Sequence, residues 1–178
     1  SGKTMTWSSG SVRLLAMDHM KMIRPRTVLD IGPGAGTWHN WYPDGVWTGV
    51  EIWEPYVERF NLRETYDHII VGDAQDVDLG GPYDLGILGD VLEHTDDPIA
   101  LYERVRSVCK TVLVQVPLGY WPQGEEEGNP YEVHRSTINV EDVRSWPGVK
   151  FFYENDQIGL LISEGRAKVE PCKSSTPI

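Results

Sequence analysis

The chain has 178 residues, 40% of them hydrophobic and 24% charged, which fits one folded domain with its own core and excludes an intrinsically disordered polymer. Its formal net charge of −11 argues against an extended footprint on nucleic acid and favours a small neutral or cationic ligand or a protein partner. No run approaches the ~20 apolar residues of a membrane-spanning helix. The first residues lack the order of a signal peptide, and Cys109 and Cys172 show neither metal-type nor disulfide-framework spacing, so a cytoplasmic location is the expectation.

In chain order, apolar residues at helical spacing predict an amphipathic helix over 9–23, stopped by Pro25. Residues 27–31 read as a first strand, 36–42 as a short helix or turn, and 46–52 as a second strand. A helix with proline near its start covers 55–64, a third strand 68–71, a polar loop 74–82 and a fourth strand 83–88. Asp96-Asp97-Pro98 starts a helix over 98–108, with Cys109 read as a core thiol in its apolar pattern, and 111–116 is a β-branched fifth strand. A long loop rich in glycine, proline and acids follows over 118–135, then a short helix at 141–146 and a hairpin of 149–153 with 157–162. The polar residues 164–178 read as a disordered tail, leaving a single domain over 1–163. Alternating strands and helices predict an α/β fold: a Rossmann-like, doubly wound, mostly parallel seven-stranded sheet with a C-terminal antiparallel hairpin.

The most informative segment is Val28-Leu-Asp-Ile-Gly-Pro-Gly-Ala-Gly36. A buried strand ends near Asp30 and passes into Gly32, Gly34 and Gly36, a turn where backbone can approach a ligand closely. The dinucleotide fingerprint requires glycines spaced G-x-G-x-x-G, and Thr37 and Trp38 stand where its third small residue belongs. That spacing argues against a nicotinamide oxidoreductase. Two more acids end the next strands, Glu51 after Thr48-Gly49-Val50 and Asp73 before Ala74. Each acid alone can be a loop-capping carboxylate; three at the ends of successive strands make a pattern.

In motif order over residues 9–163, the chain resembles the class I S-adenosylmethionine-dependent methyltransferases. The resemblance implies that Asp30, Gly32, Gly34 and Gly36 face the methionine end of the methyl donor, and that Glu51 accepts hydrogen bonds from its ribose hydroxyls. It also implies that Ile52 or Trp53 packs on the adenine, that Asp73-Ala74 meets the adenine amino group, and that Asp90 belongs to the donor site. S-adenosyl-L-methionine is thus the implied cofactor and a small molecule the implied acceptor.

The segment Gly89-Asp90-Val91-Leu92-Glu93-His94 follows the fourth strand. Quinone-precursor O-methyltransferases and RNA 3′-end methyltransferases of this class carry an acid, two residues, then Glu-His, and use a divalent metal. Asp90, Glu93, His94 and the later His134 are the corresponding candidate ligands for Mg²⁺, Mn²⁺ or Zn²⁺. Without a metal, His94 or His134 can serve as a general base; in other relatives the same Glu-His only fixes the loop. In the loop 118–135, Tyr120, Trp121 and Tyr131 suit a lid over the acceptor, or Trp121 an anchor to the core. Asn-Pro-Pro-Tyr does not follow the fourth strand, which argues against methylation of amino groups on DNA bases. The leading expectation is O-methylation of a small molecule; alternatives are a metal-dependent RNA 3′-end methyltransferase or an inactive cofactor-binding partner protein.

Overall fold

The computed structural model describes residues 10–155 and 157–168. Helix α1 (Gly10–Ile23) leads into β1 (Thr27–Ile31), α2 (Thr37–Trp41), β2 (Val46–Glu51), α3 (Glu54–Arg59), α4 (Leu62–Thr65) and β3 (His68–Val71). Then follow β4 (Tyr83–Gly89), α5 (Pro98–Val108), β5 (Cys109–Pro117), α6 (Val140–Arg144), β6 (Val149–Glu154) and β7 (Ile158–Glu164). Single 3₁₀ turns stand at Leu92–His94 and Pro130–Glu132. The strands form one sheet in the order β3-β2-β1-β4-β5-β7-β6. The first five run parallel, and β7 pairs antiparallel with both β5 and β6. The expected doubly wound sheet with a closing hairpin is the observed one.

Neighbouring residues of β1 divide between two apolar clusters: Val28 packs with one and Leu29 with the other, as strand alternation requires. Val12, Ala16 and Met20 of α1 lie one helical turn apart and join Trp47, Leu85 and Leu113 on the Val28 side. Leu101, Tyr102 and Val105 of α5 cover the opposite side, with Val143 of α6. Trp47 is fully buried, and truncating such a side chain to alanine costs about 3–5 kcal/mol. α5 starts as its sequence dictates: Asp97 Oδ1 accepts the Ala100 N–H at 3.1 Å, and Pro98 occupies the first turn.

Three local expectations differ from the structure. The helix over 55–64 is broken into α3 and α4, because Asn61 adopts a left-handed conformation with φ 54° that asparagine tolerates better than most residues. Cys109 is a buried free thiol, but it opens β5 instead of closing a helix. Glu164 ends β7, and Gly165, Arg166 and Ala167 donate backbone hydrogen bonds to Lys110, Arg106 and Cys109. The rest of the expected tail, 169–178 with Cys172, lies outside the described residues.

Candidate functional site

The C-terminal ends of β1, β2 and β4 converge on one edge of the sheet, the edge where open α/β folds place ligands. Gly32, Gly34 and Gly36 all have positive φ (64°, 50° and 73°), so the turn after β1 is built from backbone that other residues resist. A Cβ at Gly32 would stand 2.9 Å from Val91 Cγ2, so this position is closed to any side chain. Beneath the turn, Asp30 is completely buried. Its Oδ2 accepts a hydrogen bond from the Tyr66 hydroxyl at 2.6 Å, and Oδ1 has no partner. Burial pushes its carboxyl up to about 7, with the Tyr66 bond working against that shift and the Glu51 charge adding to it.

Glu51 is buried at the end of β2. Its Oε1 accepts the Trp53 N–H at 3.0 Å and its Oε2 the Gly34 N–H at 3.4 Å. One carboxylate therefore joins the glycine turn to the start of α3, although burial raises its pKa. Asp73 Oδ1 accepts the Gln75 N–H at 2.8 Å, so this acid caps its own loop.

A cavity of about 220 Å³ opens between these elements. Ile31, Gly32, Val50, Ile52, Asp73 and Ala74 line one part of it, and Val91, His94, Thr95, Asp96 and Leu101 another. Tyr131 and Arg135 reach it from the long loop. Of the candidate site residues, Asp30, Gly34, Gly36, Glu51, Trp53, Asp90, Glu93 and His134 do not line it. Val91, Leu101 and Arg135 carry no local sequence signal. Tyr66 carries none either, being joined to Asp30 only by the fold.

The loop is fastened at both ends. Arg59 of α3 pairs with Glu127. At the other end, the N–H groups of Arg135 and Ser136 both donate to the Glu93 carbonyl, at 2.8 and 3.0 Å, and the Arg135 side chain lies 3.5 Å from Asp96. Trp121 Nε1 donates to the Leu118 carbonyl at 2.7 Å. The fastening sets His134 beside His94, with ring centroids 4.8 Å apart.

His94 Nδ1 lies 3.3 Å from the Val133 carbonyl and His134 Nδ1 2.6 Å from the Trp121 carbonyl. A carbonyl only accepts, so each of these contacts calls for a proton on Nδ1, and His94 Nε2 then lies 3.6 Å from Glu93 Oε1. Glu93, 2% exposed, has both carboxylate oxygens buried without a hydrogen-bond partner. Glu93, His94 and His134 bring one ligand atom each to within 4.8 Å of one another. Burial, then the Asp90 charge, raises the Glu93 carboxyl well above its ordinary value. Burial, then His134, lowers His94 to about 4. Asp90 stands outside this group: it is an exposed turn residue with φ 52°, and its Oδ2 accepts from Gln115 Nε2 at 2.8 Å.

Residues 12–148 match a family model described as a methyltransferase domain. The chain belongs to that family, and it is a class I S-adenosylmethionine-dependent methyltransferase. Among solved structures, it is similar to the N-terminal domain of EvdMO1 crystallised with S-adenosylhomocysteine and D-fucose, at TM-score 0.66 and 13% identity over 90% of this chain and 85% of that one. It is also similar to PH0226 from Pyrococcus horikoshii OT3, at TM-score 0.63 and 18% identity over 87% and 89%. Magnesium protoporphyrin IX methyltransferase ChlM from Synechocystis PCC 6803 gives TM-score 0.62 and 15% identity over 87% and 78%. No curated protein sequence matches significantly. Among the described residues, no helix is long and apolar enough to cross a membrane.

Proposed function

We propose that this methyltransferase transfers its methyl group to a hydroxyl oxygen of a small-molecule acceptor held beside the turn after β4. The observation that carries this reading is the Glu93–His94–His134 group, where two imidazoles stand beside a buried carboxylate and His94 lines the cavity. S-adenosylmethionine, when bound, supplies a methyl group already activated by the sulfonium charge. The protein then has to align the reactants, exclude water and take the hydroxyl proton.

The cavity residues fit that donor. Nothing lies within 4 Å of where a Cβ on Gly34 would stand, and the wall of Ile31, Val50, Ile52, Ala74 and Leu101 suits a flat base. We assign Ile52, Trp53, Asp73 and Ala74 to the adenine end and Glu51 to the ribose. Asp30, Gly32, Gly34, Gly36 and Asp90 take the methionine end. His94, neutral at physiological pH because burial lowers its pKa, presents the Nε2 lone pair that receives the acceptor's proton, with His134 beside it.

The same three residues fit a divalent cation, since one carboxylate and two imidazoles form a mixed oxygen–nitrogen donor set and the Glu93 oxygens have no other partner. Glu93, His94 and His134 would hold it, and it would supply Lewis acidity to the hydroxyl. Sugar hydroxyls and phenols head the acceptor screen, because one similar structure was determined in the presence of D-fucose and another is an O-methyltransferase family protein from Burkholderia thailandensis.

The test is transfer of a labelled methyl group to these acceptors with and without EDTA, in wild type, His94→Ala and His134→Ala. O-methylated product that disappears in the variants while donor binding persists supports the reading. Product methylated on nitrogen overturns it, and turnover indifferent to EDTA removes the metal.

A further inference from the structure

The methyl-donor reading leaves one buried contact without a role: the hydrogen bond between Tyr66 and Asp30. The Tyr66 hydroxyl donates to Asp30 Oδ2 at 2.6 Å across 36 residues of sequence. Asp30 is completely buried, Tyr66 is 3% exposed, and Asp30 Oδ1 has no partner at all. A buried carboxylate oxygen without a donor is costly, and Asp30 stands two residues before Gly32, where the turn that the donor reading assigns to a cationic ligand begins.

Tyr66 also fits the turn sterically. A Cβ on Gly36 would stand 3.6 Å from Tyr66 Cε2, and one on Gly49 would stand 3.2 Å from Tyr66 Cδ1. The ring is therefore the surface on which both glycines rest. It is fixed from its other side by His39 and Trp47, with ring centroids at 5.2 and 6.0 Å. Such packing holds the hydroxyl in one place, which a mere surface tyrosine would not do.

We propose that Tyr66 is a positioning residue for the methyl donor. Its hydroxyl occupies Asp30 Oδ2 and thereby holds Oδ1 as the free acceptor for the ammonium at the donor's methionine end. This rests on the S-adenosylmethionine reading of the cavity and adds to it a residue from the far side of the sheet edge.

The charged and titratable surroundings of Asp30 are few. β2 contributes Glu51, whose charge raises the Asp30 pKa, and the segment after α4 contributes Tyr66, whose bond lowers it. α2 contributes His39 against the Tyr66 ring, and burial lowers the pKa of that imidazole. The register neighbours of Asp30 on β2 and β4, Gly49 and Ile87, carry no charge. With Asp30 near 7, a ligand that needs the carboxylate binds more tightly as pH rises through neutrality. Removing the Tyr66 hydroxyl raises the Asp30 pKa and moves that rise to higher pH.

The experiment is calorimetric titration of wild type and Tyr66→Phe with two probes between about pH 6 and 9. S-adenosylhomocysteine keeps the amino-acid end, and 5′-methylthioadenosine lacks it. Tyr66→Phe retains the ring that supports Gly36 and Gly49. The expected result is that S-adenosylhomocysteine binding at neutral pH weakens about tenfold, as loss of one hydrogen bond to a charged group implies. Its pH midpoint rises by about one unit, and 5′-methylthioadenosine binding stays within about twofold. Equal weakening of both probes without a shifted midpoint, or no change in either, overturns the proposal while the cofactor reading stands. If wild type binds neither probe, the cofactor reading itself fails and the proposal with it. Should Tyr66→Phe not fold, Asp30→Asn takes its place, since a pH step that survives there overturns the proposal equally.

Discussion

The two halves of the sheet edge solve the same electrostatic problem in opposite ways. At the ends of β1, β2 and β3, each acid has a donor close by: Tyr66 for Asp30, two backbone N–H groups for Glu51, and the Gln75 N–H for Asp73. At the end of β4, Glu93 has no hydrogen bond to either oxygen, and one ligand atom of each of two imidazoles lies within 4.8 Å of it. In the first half one carboxylate oxygen, Asp30 Oδ1, lacks a donor. The second half carries uncompensated acceptors, which suits a place where a proton or a cation has to be taken up.

The comparison breaks most sharply at Glu93. Glu93→Gln removes the ionisable carboxyl while keeping the shape, so donor affinity should stay within about threefold. Turnover should fall about 10²–10⁴-fold, the range of a lost acid–base or charge-stabilising contribution. Single-turnover methyl transfer measured beside a donor titration checks this; a parallel loss of donor binding would merge the two halves into one site.

Stability against pH separates the halves next. His94 is lowered in the fold from 6.5 to about 4, so its contribution is present above its unfolded value and lost as pH falls through that window. The loss amounts to roughly 3 kcal/mol at full protonation, and less to the extent that the site opens to water. His94→Gln should flatten the acid side of a plot of denaturation midpoint against pH. Asp30 acts with the reverse sign: its carboxyl is raised to about 7, so ionisation costs stability progressively as pH rises from 3.8 through neutrality. Asp30→Asn, which keeps an acceptor for Tyr66, should therefore raise the melting temperature at pH 8 while weakening donor binding. That pattern marks a residue kept for binding at the expense of stability.

Glu51→Ala tests the scaffold half alone. It frees the N–H groups of Gly34 and Trp53 together with the ribose contact assigned to the carboxylate. Donor affinity should drop about 30- to 100-fold, readable by calorimetry.

The same contrast decides what the sequence makes legible. The scaffold half is local: the β1 strand, its glycines and Asp30 fall within residues 27–36, Glu51 ends β2 and Asp73 follows two residues after β3. Alternating apolar strands and turn glycines therefore expose both the fold and the three acids. The β4 half depends on two segments that meet only because the loop after β5 is fastened back over the edge. Glu93-His94 and His134 can be recognised as candidates, but their spacing carries no distance. Asp90 illustrates the limit. Its place in the acid-x-x-Glu-His pattern marks it as a ligand, yet its left-handed turn delivers the carboxylate to Gln115, a β5 residue that no motif flags. Tyr66 is invisible for the same reason, because nothing near position 66 announces a partner at 30. The broken helix at Asn61 was likewise decided by one residue's backbone preference and not by the apolar period.

The smallest expected effect concerns the loop that joins the halves. Arg59 and Glu127 form its exposed fastening to α3, with both side chains about half accessible. Exposed pairs contribute about 0–1 kcal/mol, so Arg59→Ala should change donor affinity by at most about fivefold and turnover by no more. The ion pair is screened by salt, so the difference between wild type and variant should shrink as ionic strength rises. Amide exchange over residues 124–136 gives the sharper reading. If the fastening holds the loop over the cavity, exchange there should quicken in Arg59→Ala without the donor and return towards wild type once the donor is bound. Unchanged exchange in the variant would mean that the inner contacts hold the loop alone, namely the two N–H groups on the Glu93 carbonyl. His134 would then be positioned from the β4 side, by the same short turn that carries Glu93 and His94.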